Sequence, residues 1–235
     1  MVFFFMNRSS IQQDVALLHR EIWKQKEMLW PDRQLMPLQM LEPDAAAYLL
    51  DVEYLMLPNL GSSRFMRSGQ GPGIAGLIDR QANKIAISMA YPEQVQRFTG
   101  AHEVGHFMLH EGQVMHRDRP LDGSANAGHR SDIEREADYF AACFLMPPNL
   151  LTAHFETQFG CKGAFKFTET TSFHLNHNDP DSLQYASQGS LDREFALARC
   201  ENFGGRRMNS LAKQFRVSDS AMALRIKELG LVVWP

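Results

Sequence analysis

Two histidines and a glutamate in the middle of the chain have the spacing of metal-binding side chains. They form His102-Glu103-Val104-Gly105-His106, inside a largely apolar run over residues 98–109. Residues four apart lie on one face of an α-helix, so the two imidazoles can bind the same metal ion. Glu103 stands beside them, where its carboxylate can take a proton from a water on that ion. Because a five-residue motif also arises by chance, this interpretation depends on a third ligand elsewhere.

A second strong helix, predicted to begin at Ser131 or Asp132 and to be stopped by Pro147 and Pro148, offers that ligand. Its apolar stripe contains Ala137, Phe140, Ala141, Phe144 and Leu145. Glu136 lies next to the stripe and is predicted to face the core, whereas Glu134 is predicted to face the solvent. A buried carboxylate needs a positive partner, which can be a metal ion or the basic side chain of a salt bridge. With His102 and His106, Glu136 gives a His-His-Glu zinc site that leaves one position open for water.

Apolar periodicity predicts the elements that position these side chains. It indicates an amphipathic helix from Ser10 to Trp30 and a second helix from Ala45 to Leu55. Two apolar runs around a polar turn, residues 74–88, predict a β-hairpin that leads into the His102 helix. A strand there can hold an extended peptide by edge pairing. The alternative is that the hairpin only covers the helix.

Four other side chains are candidates to support the metal ligands or the transition state. His110 lies four residues after His106 on the same helical face, and Tyr139 lies on the second helix. His116 and His129 belong to a polar segment, residues 113–130, that is predicted to be a loop near the site. For these two, a solvated loop histidine is the alternative interpretation.

Composition is that of an ordinary globular protein and excludes several classes of function. The net charge of −3 gives no global preference for nucleic acid or membrane surfaces. Cys143, Cys161 and Cys200 are few, odd in number and widely spaced, which disfavours a disulfide scaffold and a cysteine zinc site. With no signal peptide or membrane-spanning stretch recognised, we predict a cytoplasmic protein.

Two segments carry a longer and more specific pattern. The first is Phe98-Thr99-x-Ala101-His102-Glu103-x-Gly105-His106-x-x-x-His110, and the second is Glu134-x-Glu136-Ala137-Asp138-x-Phe140-Ala141-Ala142-x-x-Leu145-Met146-Pro147. Over residues 74–150 the chain resembles the ImmA/IrrE family of bacterial metallopeptidases.

The resemblance implies an activity, a cofactor and a partner. It implies one Zn²⁺ per chain, bound by His102, His106 and Glu136, with Glu103 as general base. It also implies a stress-response protease that cleaves a helix-turn-helix (XRE/CI-type) transcriptional repressor, often encoded nearby. The hairpin and helix pair resemble a reduced thermolysin-like core.

The last segment of the chain has its own pattern. Residues 211–230 read as helix, tight turn and helix, with Ser218 as the cap of the second helix and Gly230 at its end. This segment is locally basic and resembles a helix-turn-helix, so Arg216, Ser220 and Arg225 are candidates to contact DNA or a partner protein. Arg216 occupies the usual turn glycine position, which favours a structural or repressor-docking role over sequence-specific DNA binding.

These observations predict an α+β fold, mainly helical and zincin-like, with a small sheet beside the metal-site helix. We expect a metallopeptidase domain over residues 1–190 and a C-terminal helical segment over residues 191–235. The predicted function is an intracellular zinc endopeptidase acting on a regulatory protein. The alternatives are a non-proteolytic DNA-binding regulator and a toxin-antitoxin component with a structural or sensing zinc site.

Overall fold

The computed structural model describes residues 7–61, 73–111 and 131–234, together with the backbone of residues 115–118. These residues form an α+β structure that is mainly helical, as predicted. They divide into two compact units, residues 1–145 and 146–235. The boundary between them, after residue 145, lies earlier in the chain than the predicted domain boundary between residues 190 and 191. The division into a metallopeptidase domain and a C-terminal segment stays a prediction. Within the described part, no helix has the length and apolar character needed to cross a bilayer.

The first unit combines helices with one four-stranded sheet. Its helices are α1 (Arg8–Lys24), α2 (Lys26–Leu29), α3 (Pro43–Leu49), α4 (Glu93–Leu109) and α5 (Asp132–Leu145), with a 3₁₀ turn at Pro37–Met40. Its strands are β1 (Glu53–Leu57), β2 (Gly76–Asp79), β3 (Lys84–Ser88) and β4 (Met115–Asp118). The strand order is β1-β3-β2-β4.

The predicted hairpin is confirmed as β2 and β3, which pair antiparallel with Ile78 opposite Ile85. Their turn includes Asn83 in the left-handed region, which asparagine tolerates better than most residues. Helix α4 packs against both strands, so the small sheet lies beside the metal-site helix as expected. In this sheet β2 is an internal strand, because β4 pairs with its other side.

The predicted helix over Ala45–Leu55 is wrong in its second half. Helix α3 ends at Leu49, Asp51 has a φ of 58°, and the chain then enters strand β1. Tyr54 and Leu55 pair in parallel with Ile85 and Ala86 of β3. Because the strand is stabilised by partners about 30 residues away in the sequence, local propensity, which favours a helix here, did not predict it.

Helices α4 and α5 form the packed pair that carries the predicted site. Gly105 of α4 lies against Phe140 of α5, where an added Cβ would be 3.0 Å from two of its side-chain atoms. The other side of α5 packs on α1, whose buried residues Ile11, Val15, Leu18 and Ile22 form a stripe at helical spacing. The small residue at position 105 therefore sets how closely α4 and α5 approach.

The second unit is built from short helices and a two-stranded sheet. Its elements are α6 (Pro148–Phe159), α7 (Glu169–Leu175), α8 (Asp181–Gln184), α9 (Asp192–Ala198), β5 (Asn202–Phe203), β6 (Arg206–Arg207), α10 (Leu211–Phe215) and α11 (Asp219–Glu228). Phe159, Phe165 and Phe203 pack edge to face in its core. The predicted helix-turn-helix pattern corresponds to α10 and α11, and the hydroxyl of Ser218 caps α11 as expected.

Candidate metal centre

Helix α4 brings the two motif histidines together in the interior of the first unit. Both side chains are buried, and their Nε2 atoms are 2.9 Å apart. Their ring planes lie at 78° to each other. The rings therefore do not stack, and both Nε2 atoms can face the same point. The helical spacing predicted from the sequence therefore produces a pair of imidazole donors.

Helix α5 supplies a carboxylate to the same point. One oxygen of Glu134 lies 3.5 Å from His102 Nε2, and the other lies 3.4 Å from His106 Nε2. Tetrahedral zinc with bonds of about 2.0–2.1 Å separates its ligand atoms by about 3.3 Å, close to these spacings. His102, His106 and Glu134 are thus positioned to hold a metal ion.

The structure places Glu134, and not Glu136, with the two histidines. At about 100° per residue, Glu134 lies about 60° from Ala137, on the same side as Ala141 and within the buried stripe. Glu136 lies about 100° from Ala137 on the opposite side, at the edge of the stripe. The expectation that Glu134 faces the solvent is therefore corrected, since only 18% of its side-chain surface is exposed. The same helical geometry, applied to the centre of the stripe, could have identified it from the sequence.

A second layer of hydrogen bonds fixes the other ring nitrogen of each histidine. His102 Nδ1 is 2.9 Å from a carboxylate oxygen of Asp138. His106 Nδ1 is 3.0 Å from His110 Nδ1, and His110 Nε2 is 3.0 Å from a carboxylate oxygen of Glu136. Asp138 was not among the predicted site residues, although its position four residues after Glu134 puts it on a neighbouring part of the same helical face.

Glu103 lies in the same buried region, against the backbone of β2. A Cβ added to Gly76 would be 2.5 Å from Glu103 Oε1 and 2.5 Å from Thr99 Cγ2. The absence of a side chain at position 76 therefore leaves the space that the Glu103 carboxylate occupies. A general base must be held within reach of the proton that it takes, and this packing restricts where the Glu103 carboxylate can lie.

The end of α4 is held by a side chain from the hairpin turn. One guanidinium nitrogen of Arg80 donates to the carbonyl oxygens of His106 and Phe107, at 2.6 Å each. Burial lowers the pKa of Arg80 from its ordinary value, whereas the nearby Glu111 carboxylate raises it. A cation near a helix C-terminus interacts favourably with the last carbonyl groups of the helix.

The other side chains predicted to support the metal ligands or the transition state are Tyr139, His116 and His129. The ring of Tyr139 is buried on the α1 side of α5, where its hydroxyl accepts a hydrogen bond from Gln12 and Arg8 lies over the ring. His116 belongs to β4, opposite Ile78, rather than to a loop. His129 lies outside the described residues.

The three C-terminal candidates differ in their surroundings. Arg225 is only 1% exposed, donates to the Met146 carbonyl oxygen and pairs with Glu228, all within the second unit. Ser220 is half-buried, and Arg216 is exposed at the end of α10 with a φ of 54°. The prediction that Arg225 contacts DNA or a partner is therefore corrected, because its guanidinium is engaged internally.

Comparison with known families gives a match that covers this site. Residues 63–162 match the family model Peptidase_M78, the IrrE N-terminal-like domain. The match confirms the predicted resemblance to the ImmA/IrrE family and includes all the residues of the candidate metal centre. No curated protein gives a significant match to the chain.

Proposed function

We propose that this protein is a zinc endopeptidase, because residues 63–162 match the Peptidase_M78 family model. The observation that carries the proposal is the convergence of His102 Nε2, His106 Nε2 and the Glu134 carboxylate at 2.9–3.5 Å. These three residues would hold one Zn²⁺ per chain, with Glu134 in place of the predicted Glu136.

The donor set favours zinc over other common metals. Two imidazole nitrogens and one carboxylate are the ligands of catalytic zinc in many hydrolases, and three protein ligands leave one position open. Calcium and magnesium prefer sites made of oxygen donors alone. When bound, the zinc ion supplies a Lewis acid that polarises the scissile carbonyl and acidifies a water molecule.

Glu103 would move the proton in this reaction. Its carboxylate accepts a proton from the attacking water and then passes it to the leaving amine. Its position directly after His102 on α4 and its enclosure against Gly76 support this role. The scissile bond of the substrate must then lie within reach of the Glu103 carboxylate.

Strand β4 is the edge at which we place the substrate peptide. Of the four strands of the first unit's sheet, β4 is the outer neighbour of β2, with Asp118 opposite Gly76. A peptide added to β4 would lie about 10 Å from β2, whereas one added to the other edge, β1, would lie about 14 Å from it. An extended peptide can add to an exposed strand edge through main-chain hydrogen bonds.

The substrate that we propose is a helix-turn-helix transcriptional repressor in the cytoplasm, cleaved as part of a stress response. This proposal rests on the ImmA/IrrE resemblance. It is tested by mixing the purified chain and Zn²⁺ with the repressor encoded beside it and mapping the cut by mass spectrometry. We expect one specific cut with the parent chain and none with Glu103→Gln, while both bind equal amounts of zinc.

The matched control for this experiment is Glu93→Gln. It makes the same chemical change on the same helix, at an exposed position in the first turn. Cleavage at the parent rate by Glu103→Gln would contradict the role of Glu103. Absence of any cut by the parent chain, with zinc bound, would contradict this substrate and leave the metal centre standing.

The alternative functions have less support from the second unit. A DNA-binding regulator would use side chains around α11, yet Arg225 is buried and Asp219 places an acid in the first turn of that helix. An electrophoretic shift of the protein's own promoter DNA, weakened steeply by salt, would favour that alternative. A stable complex with the partner protein without cleavage would favour a toxin-antitoxin role.

A further inference from the structure

We propose that His110 and Glu136 are positioning residues that orient His106 toward the metal through a chain of two hydrogen bonds. The inference rests on the metal centre proposed above and deepens it. It assigns a role to the two predicted site residues that do not converge on the ion position.

The geometry of the chain is continuous from the core to the surface. His106 Nδ1 and His110 Nδ1 are 3.0 Å apart, and His110 Nε2 is 3.0 Å from Glu136 Oε2. The side chains become more exposed along the chain, from 1% for His106 to 8% for His110 and 26% for Glu136. A buried ligand is thus linked to a carboxylate at the edge of α5.

The positions of the protons follow from the role of His106 as a ligand. If its Nε2 faces the metal, that nitrogen carries no proton, so Nδ1 carries it and must donate. The acceptor is His110 Nδ1, and the proton of His110 is then on Nε2, where it donates to Glu136. Each group therefore has one role, and the arrangement favours the metal-binding tautomer of His106.

The two histidine ligands are supported in parallel ways by one helix. Asp138 of α5 reaches His102 Nδ1 directly, whereas Glu136 of α5 reaches His106 through His110. Glu134, Glu136 and Asp138 are alternate residues of the same helix. Glu134 and Asp138 contact histidines of α4, and Glu136 contacts His110 at its C-cap. Carboxylates hydrogen-bonded to ligating histidines typically change metal affinity by about 10–100-fold.

The alternative is that His110 only completes the end of α4. Its backbone N–H donates to the His106 carbonyl oxygen, and this bond does not need the imidazole. A purely structural role would change the stability of the protein. It would leave the His106 ring proton and the zinc affinity unchanged among folded variants.

The test measures zinc affinity, by competition with a chelator, together with the ring nitrogens of His106. The variants are His110→Phe, Glu136→Leu and Glu136→Gln, and the control is Glu111→Gln, which removes a charge beside His110 without touching the chain of hydrogen bonds. We expect affinity to fall by about 10–100-fold in the Phe and Leu variants. Glu136→Gln should lose less, because its amide oxygen can still accept from His110. Glu111→Gln should keep the parent affinity.

Nitrogen-15 NMR of the zinc-loaded parent gives a direct signature of the chain. We expect a proton bonded to His106 Nδ1 and a coupling across the hydrogen bond to His110 Nδ1. Both should be retained in Glu136→Gln, and the coupling should vanish in His110→Phe. If His110→Phe does not fold, Glu136→Leu carries the affinity test, since that side chain is partly exposed.

His106→Ala separates failure of this inference from failure of the metal centre. If His106→Ala binds zinc as tightly as the parent, the proposed metal centre is wrong. If His106→Ala loses zinc, parent affinity in folded His110→Phe and Glu136→Leu, or the absence of the coupling, overturns the hydrogen-bonded chain alone.

Discussion

Among single residues, Glu134 and Glu136 differ in which histidine nitrogens their carboxylates contact, and this difference decides which of them can bind the metal. Both belong to one helix and both contact histidines, but it is Glu134 whose oxygens lie 3.4–3.5 Å from the Nε2 atoms of His102 and His106. We expect Glu134→Ala to lose zinc on dialysis, because two imidazoles alone hold the ion weakly. Glu136→Ala should keep stoichiometric zinc under the same conditions. Metal content by mass spectrometry checks this, and the reverse order would restore Glu136 as the ligand.

Gly76 is a second residue on which the site depends, because its lack of a side chain leaves room for the Glu103 carboxylate. In Gly76→Ala the new Cβ would be 2.5 Å from Glu103 Oε1, so the carboxylate must move away. We expect kcat to fall by about tenfold or more, since displacement of a general base loses most of its contribution. Zinc content should not change, because the metal ligands are not touched.

Gly189→Ala provides the control for this change. A Cβ added there would have nothing within 4 Å, so the backbone and the site should tolerate it. A parent-like kcat in Gly76→Ala would mean that Glu103 does not need its position against β2.

Among the secondary-structure elements, the junction between the hairpin turn and α4 supports the site. Arg80→Met would remove both hydrogen bonds to the carbonyl oxygens of His106 and Phe107. Hydrogen bonds from charged groups contribute about 1.5–3 kcal/mol, so we expect a loss of this order in the free energy of unfolding. Urea unfolding of the metal-free protein measures it.

Lys84→Met removes a cation from the same hairpin and serves as the control. Lys84 forms an exposed ion pair with Glu53, and pairs of this kind contribute about 0–1 kcal/mol. Equal destabilisation by the two substitutions would contradict a specific role of Arg80 at the end of α4.

Elements whose geometry depends on neighbouring residues could be predicted from the sequence, whereas those that depend on distant contacts could not. Helix α4 and its histidines were predictable because their geometry depends only on residues four apart. Glu134 was accessible to the same reasoning, because it lies nearer than Glu136 to the centre of the apolar stripe of α5. Strand β1 was not accessible, because its pairing with β3 depends on contacts distant in sequence. The contact between Glu136 and His110 likewise depends on how α4 and α5 pack.

For the molecule as a whole, the sequence predicted the mixed, mainly helical fold and the family of its central part. It did not predict the compact units, because residues 146–190 have weak periodicity and no motif. Phe159 and Phe165 of this segment pack with Phe203, which only the tertiary structure reveals. The parts with local patterns were therefore predictable, whereas those held by distant contacts were not.

The stability of the folded chain should depend on pH through a histidine far from the motif in sequence. His19 of α1 packs on the Phe144 ring, and its Nε2 is 3.0 Å from the Phe144 carbonyl oxygen. Burial lowers the pKa of His19 from 6.5 to about 4, against a smaller opposite effect of that hydrogen bond. As the pH falls from about 6.5 to about 4, the unfolded chain binds a proton that the folded chain does not. The folded state therefore loses stability over this window, by up to about 1.4 kcal/mol per pH unit.

His19→Gln isolates this contribution, because its amide can donate to the same carbonyl oxygen without titrating. We expect the variant to lose less stability than the parent between about pH 7 and about pH 4, as measured by urea unfolding of the metal-free protein. Other groups that titrate in this range act in both proteins, so the difference between the two curves belongs to His19. Gln13→His, an exposed addition on the same helix, controls for an extra histidine and should follow the parent curve. Parallel curves for the parent and His19→Gln would mean that the α1–α5 contact takes up the proton without loss of stability.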